Sequence, residues 1–81
     1  MSDDIMQRVK AVVSSQLKVE ESELVPEARF GEDLGSDSMK SVELIAAFDE
    51  EFDLDMDIDE AGKMKTIGQA VEFIKKEIEN Q

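Results

Sequence analysis

The chain has 81 residues, with 9 lysines and arginines against 21 aspartates and glutamates, and therefore a formal net charge of −12 at pH 7. It contains no cysteine and no histidine, which excludes a disulfide framework, a thiolate or imidazole catalyst and an ordinary zinc site. The negative charge disfavours nucleic acids and anionic membrane surfaces as partners and favours basic proteins. This length predicts a single small domain over residues 1–81 with little catalytic chemistry of its own.

The N-terminal region shows no basic segment followed by an apolar run, and no apolar stretch reaches membrane-spanning length. We therefore expect no signal peptide, no membrane association and a cytoplasmic location.

The first helix is predicted from apolar residues spaced along one helical face. These residues are Ile5, Val9, Val12, Val13 and Leu17. Their spacing of four, three, one and four is typical of an amphipathic helix that packs on a core.

A long connection follows the first helix, over residues 18–36, and contains the only proline, Pro26. A connection of this length is unusual in a small domain unless apolar side chains pin it down or it carries a site. We expect Phe30 and Leu34 to anchor it on the core, and Gly31 and Gly35 to supply turn conformations.

The second helix is predicted from Ser38 to about Phe52 and has two distinct faces. At 100° per residue the core stripe consists of Leu44, Ile45, Phe48 and Phe52. The opposite side, which we call the docking face, carries apolar Met39, Val42 and Ala46 together with Glu43, Asp49 and Glu50. The residues alone leave two interpretations open: a solvated surface, or a contact surface for a basic partner with an apolar centre and a charged rim.

The stretch from Phe52 to Asp59 alternates between apolar and acidic residues, a pattern typical of a strand. We nevertheless expect no strand, because the sequence offers no second alternating run to pair with it. The same stretch begins like a calcium loop, but Ile58 stands where the loop needs glycine and Met64 where it needs glutamate. No dedicated metal site is therefore predicted.

The C-terminal part of the chain predicts two more helices. A short one is expected around Asp59 to Met64, and a longer one begins at Thr66, which forms a capping-box pattern with Gln69. The last core stripe consists of Ile67, Ala70, Val71, Ile74 and Ile78. Three longer helices and one short helix, with a long loop between the first and second helices, predict a small all-α four-helix bundle.

The start of the second helix contains the most informative residues. Asp37 is suited to cap the helix, which places Ser38 at the first helical position with an exposed hydroxyl. In the simplest interpretation the pair only starts a helix. A nucleophilic role is disfavoured, because the chain has no histidine and Lys40, two positions further on, points to a different face.

The run Asp33-Leu34-Gly35-Ser36-Asp37-Ser38-Met39, followed by Lys40-Ser41-Val42-Glu43-Leu44, resembles the acyl carrier protein family. The Asp-Ser-Leu motif of that family carries a 4′-phosphopantetheine on its serine, and here Met39 replaces the leucine. The resemblance extends from Ile5 to Ile78. It implies that Ser38 receives the phosphopantetheine from coenzyme A, and that the chain is a carrier of acyl thioesters and no enzyme.

The resemblance also implies contact residues and partners. The expected partners are a phosphopantetheinyl transferase and acyl-processing enzymes with basic docking surfaces, and the carrier is expected to be a monomer. The acidic contacts are Asp37, Glu43, Asp49 and Glu50, and the exposed apolar contacts are Met39, Val42, Ala46 and Met56. An acyl cavity between the helices is expected to be lined by Leu44, Ile45, Phe48 and Met64.

The glycine turn before Ser38 is more similar to free-standing fatty-acid or polyketide carriers than to peptidyl carriers. Besides Met39, two further positions depart from the family pattern: Asp57 stands where proline is common and Ile58 where an acidic residue is usual. These departures suggest a specialised cargo or partner. The alternative is an unmodified acidic helical module that binds basic proteins through the docking face.

Overall fold

Four α-helices form the fold, in a computed structural model that describes residues 2–80, with side chains described from residue 4. The helices are α1 (Ser2–Leu17), α2 (Ser38–Phe52), α3 (Ile58–Ala61) and α4 (Ile67–Glu79). No β-strand forms within residues 2–80. The prediction of an all-α bundle with three longer helices and one short helix is therefore confirmed.

The core lies where the predicted apolar stripes meet. α1 packs against α2 and α4, and α3 packs against α2. Val9 and Val13 of α1, Phe48 of α2 and Ile74 of α4 are completely buried. The stripe of α4 is shorter than expected, because Ile78 in its last turn is 38% exposed.

Arg8 links α1 to the C-terminal end of α2. Its Nε donates to Glu51 Oε2 at 2.8 Å, and its Nη2 donates to the Glu51 backbone carbonyl. The guanidinium also lies over the Phe52 ring, 4.4 Å from the centroid. A cation at this place binds an otherwise unpaired carbonyl and interacts favourably with the negative end of the helix dipole.

The long connection between α1 and α2 is pinned to the core as predicted. Phe30 and Leu34 are buried, and so is Leu24, which follows a short 3-10 helix at Glu21–Glu23. Two backbone hydrogen bonds add a constraint that the sequence does not reveal: Phe30 N–H donates to the Lys65 carbonyl at 3.0 Å and Ile67 N–H to the Ala28 carbonyl at 3.1 Å. They join the connection to the start of α4.

A tight turn precedes α2. The N–H groups of Asp33 and Leu34 donate to the Arg29 carbonyl at 3.0 and 3.1 Å, and Ser36 N–H donates to the Phe30 carbonyl at 2.8 Å. Gly35 has φ +73°, the left-handed region that favours glycine. Gly31 has no positive φ, so the expected need for a special turn conformation holds only for Gly35.

The segment between α2 and α3 is a connection and forms no strand, as predicted. α2 ends at Phe52, and the following cap residue, Asp53, has a φ of 55° in the left-handed region. The Asp57 carboxylate then caps α3 by accepting from the N–H groups of Asp59 and Glu60 at 2.8 and 3.3 Å. Because Asp57 is the cap, α3 begins at Ile58, one residue before the predicted start, and ends at Ala61.

At the start of α4, the Thr66 hydroxyl accepts a hydrogen bond from Gln69 N–H at 3.2 Å, as the capping pattern predicts. The Gln69 side chain, however, accepts from Lys65 N–H at 2.8 Å, one residue before the cap.

Candidate functional site

The N-terminus of α2 presents a serine hydroxyl to solvent. Asp37 has extended backbone angles, and its Oδ1 accepts a hydrogen bond from Lys40 N–H at 2.8 Å. Ser38 is the first residue of the helix and is exposed. Its hydroxyl makes no hydrogen bond to another side chain or backbone group within residues 4–80. The site therefore consists of a free hydroxyl held at the positive end of a helix dipole.

The turn before Ser38 is fixed by neighbouring groups. The Ser36 hydroxyl lies 3.0 Å from the Ser41 hydroxyl, one turn into α2, and 3.3 Å from the Asp37 carbonyl oxygen. Together with the Asp37 cap, these contacts define the direction in which the chain enters the helix. The rigid turn sets the position of Ser38, while its own side chain stays unengaged.

The arrangement lacks the parts of a nucleophilic catalyst. Activation of a serine requires a base within hydrogen-bond reach and a third group to orient that base. The Asp37 carboxylate is engaged by the Lys40 backbone N–H, and the sequence contains no histidine. Ser38 is therefore suited to accept a group that another enzyme transfers.

Most of the predicted docking face is exposed. Met39 is 72% and Val42 48% exposed, the latter one turn into the helix. The other exposed members of the predicted contact set are Asp37, Glu43, Ala46 and Glu50. Asp49 is only half exposed, and its Oδ1 accepts from Met56 N–H at 3.0 Å. Its carboxylate thus fixes the connection to α3, and the residue is less accessible to a partner than Glu43 or Glu50.

Met56 does not lie on this surface, contrary to the expectation that it is an exposed apolar contact. It is 3% exposed and belongs to the core, because the bond from its N–H to Asp49 folds the connection back against α2. Ile58, two residues later, is 56% exposed at the start of α3. Ile58 departs from the family pattern but was not among the predicted contact residues. The exposure of Ile58 could have been predicted from Asp57, because an aspartate that caps a helix places the next residue at the exposed start of that helix.

Three of the four predicted cavity residues come together. A cavity of about 40 Å³ is lined by Leu44, Ile45 and Met64 with Phe30, Ser41, Ala61 and Gly62. Phe48, the fourth, does not line it and is completely buried in the core. A wider groove of about 360 Å³ shares Ser41, Gly62 and Met64 with the cavity and extends to Ser36. A groove with the charged residues Arg29, Glu32 and Lys65 in its lining therefore leads from the turn before Ser38 to the small apolar cavity between α2 and α3.

One pair of charges orders the turn that borders this groove. Asp33 Oδ2 accepts from the backbone N–H of Arg29 at 2.9 Å and from its Nε at 3.1 Å. The Arg29 hydrogen bonds hold the pKa of the Asp33 carboxyl below its ordinary value, and the same contact raises the pKa of Arg29. Arg29 also pairs with Glu32 at 2.7 Å.

Within the part of the chain that the structure describes, no three acidic side chains come close enough together to hold a metal ion. None of the helices described is long and apolar enough to cross a membrane.

Comparisons with known proteins define the class of the site. Residues 7–74 match the protein family described as "Phosphopantetheine attachment site". The chain is 48% identical over 77 residues to an acyl carrier protein of Trieres chinensis, an alignment that covers 95% of this chain and 96% of that protein. It is 45% identical over 75 residues to an acyl carrier protein of Thermosynechococcus vestitus, with 93% of each chain covered.

The fold, the exposed serine and these matches thus define a carrier domain with a covalently bound 4′-phosphopantetheine. The chain belongs to the acyl carrier protein family. It is accordingly a carrier and not a catalyst, and it interacts with a modifying transferase and with acyl-processing enzymes. The alternative of an unmodified interaction module is not supported, because the family match is to a phosphopantetheine attachment domain.

Proposed function

We propose that Ser38 is the attachment residue for phosphopantetheine, and that the chain carries acyl groups in biosynthesis of the fatty-acid or polyketide type. The observation that carries this proposal is the exposed Ser38 hydroxyl, free of hydrogen bonds to residues 4–80, at the start of α2 and inside the matched range 7–74. When bound, the phosphopantetheine supplies a thiol that holds acyl groups as thioesters.

The chain contributes an acceptor to the transfer reaction. The Ser38 oxygen forms a bond to the phosphorus that carries the pantetheine in coenzyme A, and the bond between that phosphorus and the bridging pyrophosphate oxygen breaks. The adenosine bisphosphate part leaves, and a base of the transferase takes the serine proton. Asp37 Oδ1 caps the Lys40 N–H and the chain has no histidine, so we assign the base to the transferase.

The docking face supports recognition by basic enzymes. Glu43 and Glu50 are exposed beside the apolar side chains of Met39 and Val42. An apolar centre with a charged rim is typical of protein interfaces, and the net charge of −12 accelerates encounters with a positively charged partner. Ile58 is a further exposed apolar side chain, on α3.

The volume of the cavity between α2 and α3 limits the length of acyl chain that it can hold. A volume of about 40 Å³ has room for about one water-sized group, so only the first carbons of an acyl chain fit. A longer chain requires α3 to move away from α2. This is feasible because α3 has only four residues, Ile58–Ala61, and therefore few contacts to break.

A cytoplasmic location and a monomeric state stay predictions from the sequence.

Intact mass spectrometry tests the attachment. The full-length chain in its unmodified form, incubated with coenzyme A and a phosphopantetheinyl transferase, should gain one phosphopantetheine unit. Ser38→Ala should gain nothing. Ser15→Ala removes another exposed serine, on α1, and should be loaded like the wild type. Loading of Ser38→Ala, or an unmodified wild type beside a control carrier that is loaded, would refute the proposal.

Loading kinetics test the docking face. Glu43→Lys and Glu50→Lys should lower kcat/KM of the transferase about threefold to tenfold at low salt, and less at high salt, because rim charges act mainly on encounter. Glu79→Lys reverses an exposed charge at the end of α4 and serves as the matched control. Circular dichroism should be unchanged for all three variants. Equal rates for Glu43→Lys, Glu50→Lys and Glu79→Lys would remove the docking face from the mechanism.

A further inference from the structure

Met39 combines a chemically reactive side chain with an unusual position. It follows Ser38 directly, in the first turn of α2, and at 72% it is the most exposed of the large apolar side chains described. Its thioether is therefore open to small oxidants in solution. Val42, the other exposed apolar residue of the docking face at 48%, has no such chemistry.

The composition of the chain concentrates oxidation on methionine. There is no cysteine, histidine, tryptophan or tyrosine, so the polypeptide offers peroxide no other readily oxidised side chain. The remaining methionines described are shielded. Met56 is 3% exposed in the core, and Met6 and Met64 are half-buried and pack against it. Met1 lies outside the described residues. Among the four methionines whose side chains the structure describes, exposure thus ranks Met39 first.

We propose that Met39 is a peroxide-sensitive modification site, and that its oxidation to methionine sulfoxide reversibly slows the loading of Ser38. The effect on loading depends on the attachment function proposed above. In the reaction, the sulfur lone pair attacks one oxygen of hydrogen peroxide, a sulfur–oxygen bond forms and the oxygen–oxygen bond breaks. The products are the sulfoxide and water, and a thiol-dependent sulfoxide reductase restores the thioether.

The expected effect on docking follows from the place of Met39 in the surface. Its side chain belongs to the apolar centre of the docking face, together with Val42 and Ala46. A sulfoxide puts a strong hydrogen-bond acceptor there, and a partner that covers the centre must remove water from it without supplying a donor. Burying an unpaired polar group weakens association. The fold should be unaffected, because Met39 is largely solvated in the free protein.

The test begins with selective oxidation. The full-length, unmodified chain is treated with dilute hydrogen peroxide, and peptide mapping by mass spectrometry follows each methionine. Met39 should be converted several times faster than Met56, and also ahead of Met6 and Met64. Equal rates for Met39 and Met56 would overturn the selectivity of the site.

Loading by the transferase is then measured on the same samples. Oxidised wild type should load about threefold to tenfold more slowly, and a sulfoxide reductase should restore the rate. Met39→Leu keeps the apolar bulk without the sulfur, so its loading rate, compared with that of its own untreated sample, should be insensitive to peroxide. Met39→Gln places a polar group at the position and should be slow without any oxidant. Circular dichroism should show the same helix content throughout.

The outcomes separate this inference from the function on which it depends. Normal loading of a chain fully oxidised at Met39, or peroxide sensitivity that persists in Met39→Leu, would overturn the effect on loading. Failure of the untreated wild type to load would refute the attachment function itself, and with it the effect on loading. The peptide map would still decide whether Met39 is the selectively oxidised residue.

Discussion

Asp37 caps α2 and also places a negative charge beside Ser38, and substitutions can separate these two roles. Its Oδ1 accepts a hydrogen bond from Lys40 N–H at 2.8 Å, which satisfies one of the unpaired donors of α2, and its charge lies beside Ser38. Asp37→Ala should lower the free energy of unfolding by about 1 kcal/mol, the usual cost of a lost N-cap. Urea denaturation followed by circular dichroism measures this change.

Asp37→Asn is the matched control for the cap. Asparagine caps helices about as well as aspartate, so its unfolding free energy should stay closer to that of the wild type than to that of Asp37→Ala. Slower loading of the stable Asn variant would then report the charge alone. If Asp37→Asn were as unstable as Asp37→Ala, the charge rather than the hydrogen bond would stabilise the helix start.

Gly35 is required by its backbone conformation and Gly31 is not. An added Cβ at Gly35 would meet no atom within 4 Å, but φ is +73°, so Gly35→Ala should cost about 1–2 kcal/mol through backbone strain. At Gly31 an added Cβ would lie 3.7 Å from the Ser36 carbonyl oxygen, an ordinary contact. Gly31→Ala should change stability by less than about 0.5 kcal/mol. Equal unfolding free energies for the two variants would contradict this assignment.

Local sequence signals were sufficient to predict the centre of the site. Asp37 as the cap and Ser38 as the first helical residue follow from short-range preferences that the structure confirms. The burial of Met56 could not be predicted in this way. The alternation from Phe52 to Asp59 does not indicate which side faces the core, and the answer depends on the Asp49 carboxylate, seven residues before Met56.

The long connection between α1 and α2 contains a charged contact that closes its last turn. Asp33 binds both the backbone N–H and the guanidinium of Arg29, and this closes the turn that leads to Gly35. The pKa of Asp33 is lowered in the folded chain, so in the acid range the unfolded state binds more protons than the folded state. The stabilisation is complete above about pH 4, the ordinary value for aspartate, and is lost as the pH falls through the folded pKa.

A pH series of unfolding experiments tests this contact. Asp33→Asn should reduce the free energy of unfolding at pH 7, and the difference from wild type should shrink as the pH falls below about 4. In an Arg29→Met background the same substitution should have a smaller effect with a weaker pH dependence. A difference that stays constant from pH 7 to pH 3 would show that the pair does not stabilise the turn.

Helices and loops differ in how far their sequences predict them. The stripes of α1, α2 and α4 repeat at the helical period, so these helices were predicted and confirmed. The connection between α1 and α2 has no such period. Its burial of Phe30 and Leu34 was predictable from their apolar character, but the pairing of residues 28–30 with 65–67 was not. That pairing joins positions far apart in the sequence and leaves no periodic pattern.

The high net charge and small size of the molecule make its stability depend on the salt concentration. The extents of the described part are 31 × 26 × 18 Å, and the screening length is about 30 Å at 0.01 M salt but about 10 Å at 0.1 M. At low salt each carboxylate therefore interacts with most of the others, and with a net charge of −12 these interactions are mainly repulsive. Unfolding relieves the repulsion, so the folded state is weakened at low ionic strength.

We expect Tm to rise with sodium chloride between 0.01 and 0.2 M. A gain of about 1 kcal/mol corresponds to about 4–8 °C for a chain of this size. Surface ion pairs such as Arg8 with Glu51 act in the opposite direction, because salt weakens them, but exposed pairs contribute at most about 1 kcal/mol each. A double variant, Glu27→Gln with Glu79→Gln, removes two exposed negative charges and should show a smaller rise. A wild-type Tm that is flat or falls over this range would mean that attraction within the ion pairs outweighs repulsion across the molecule.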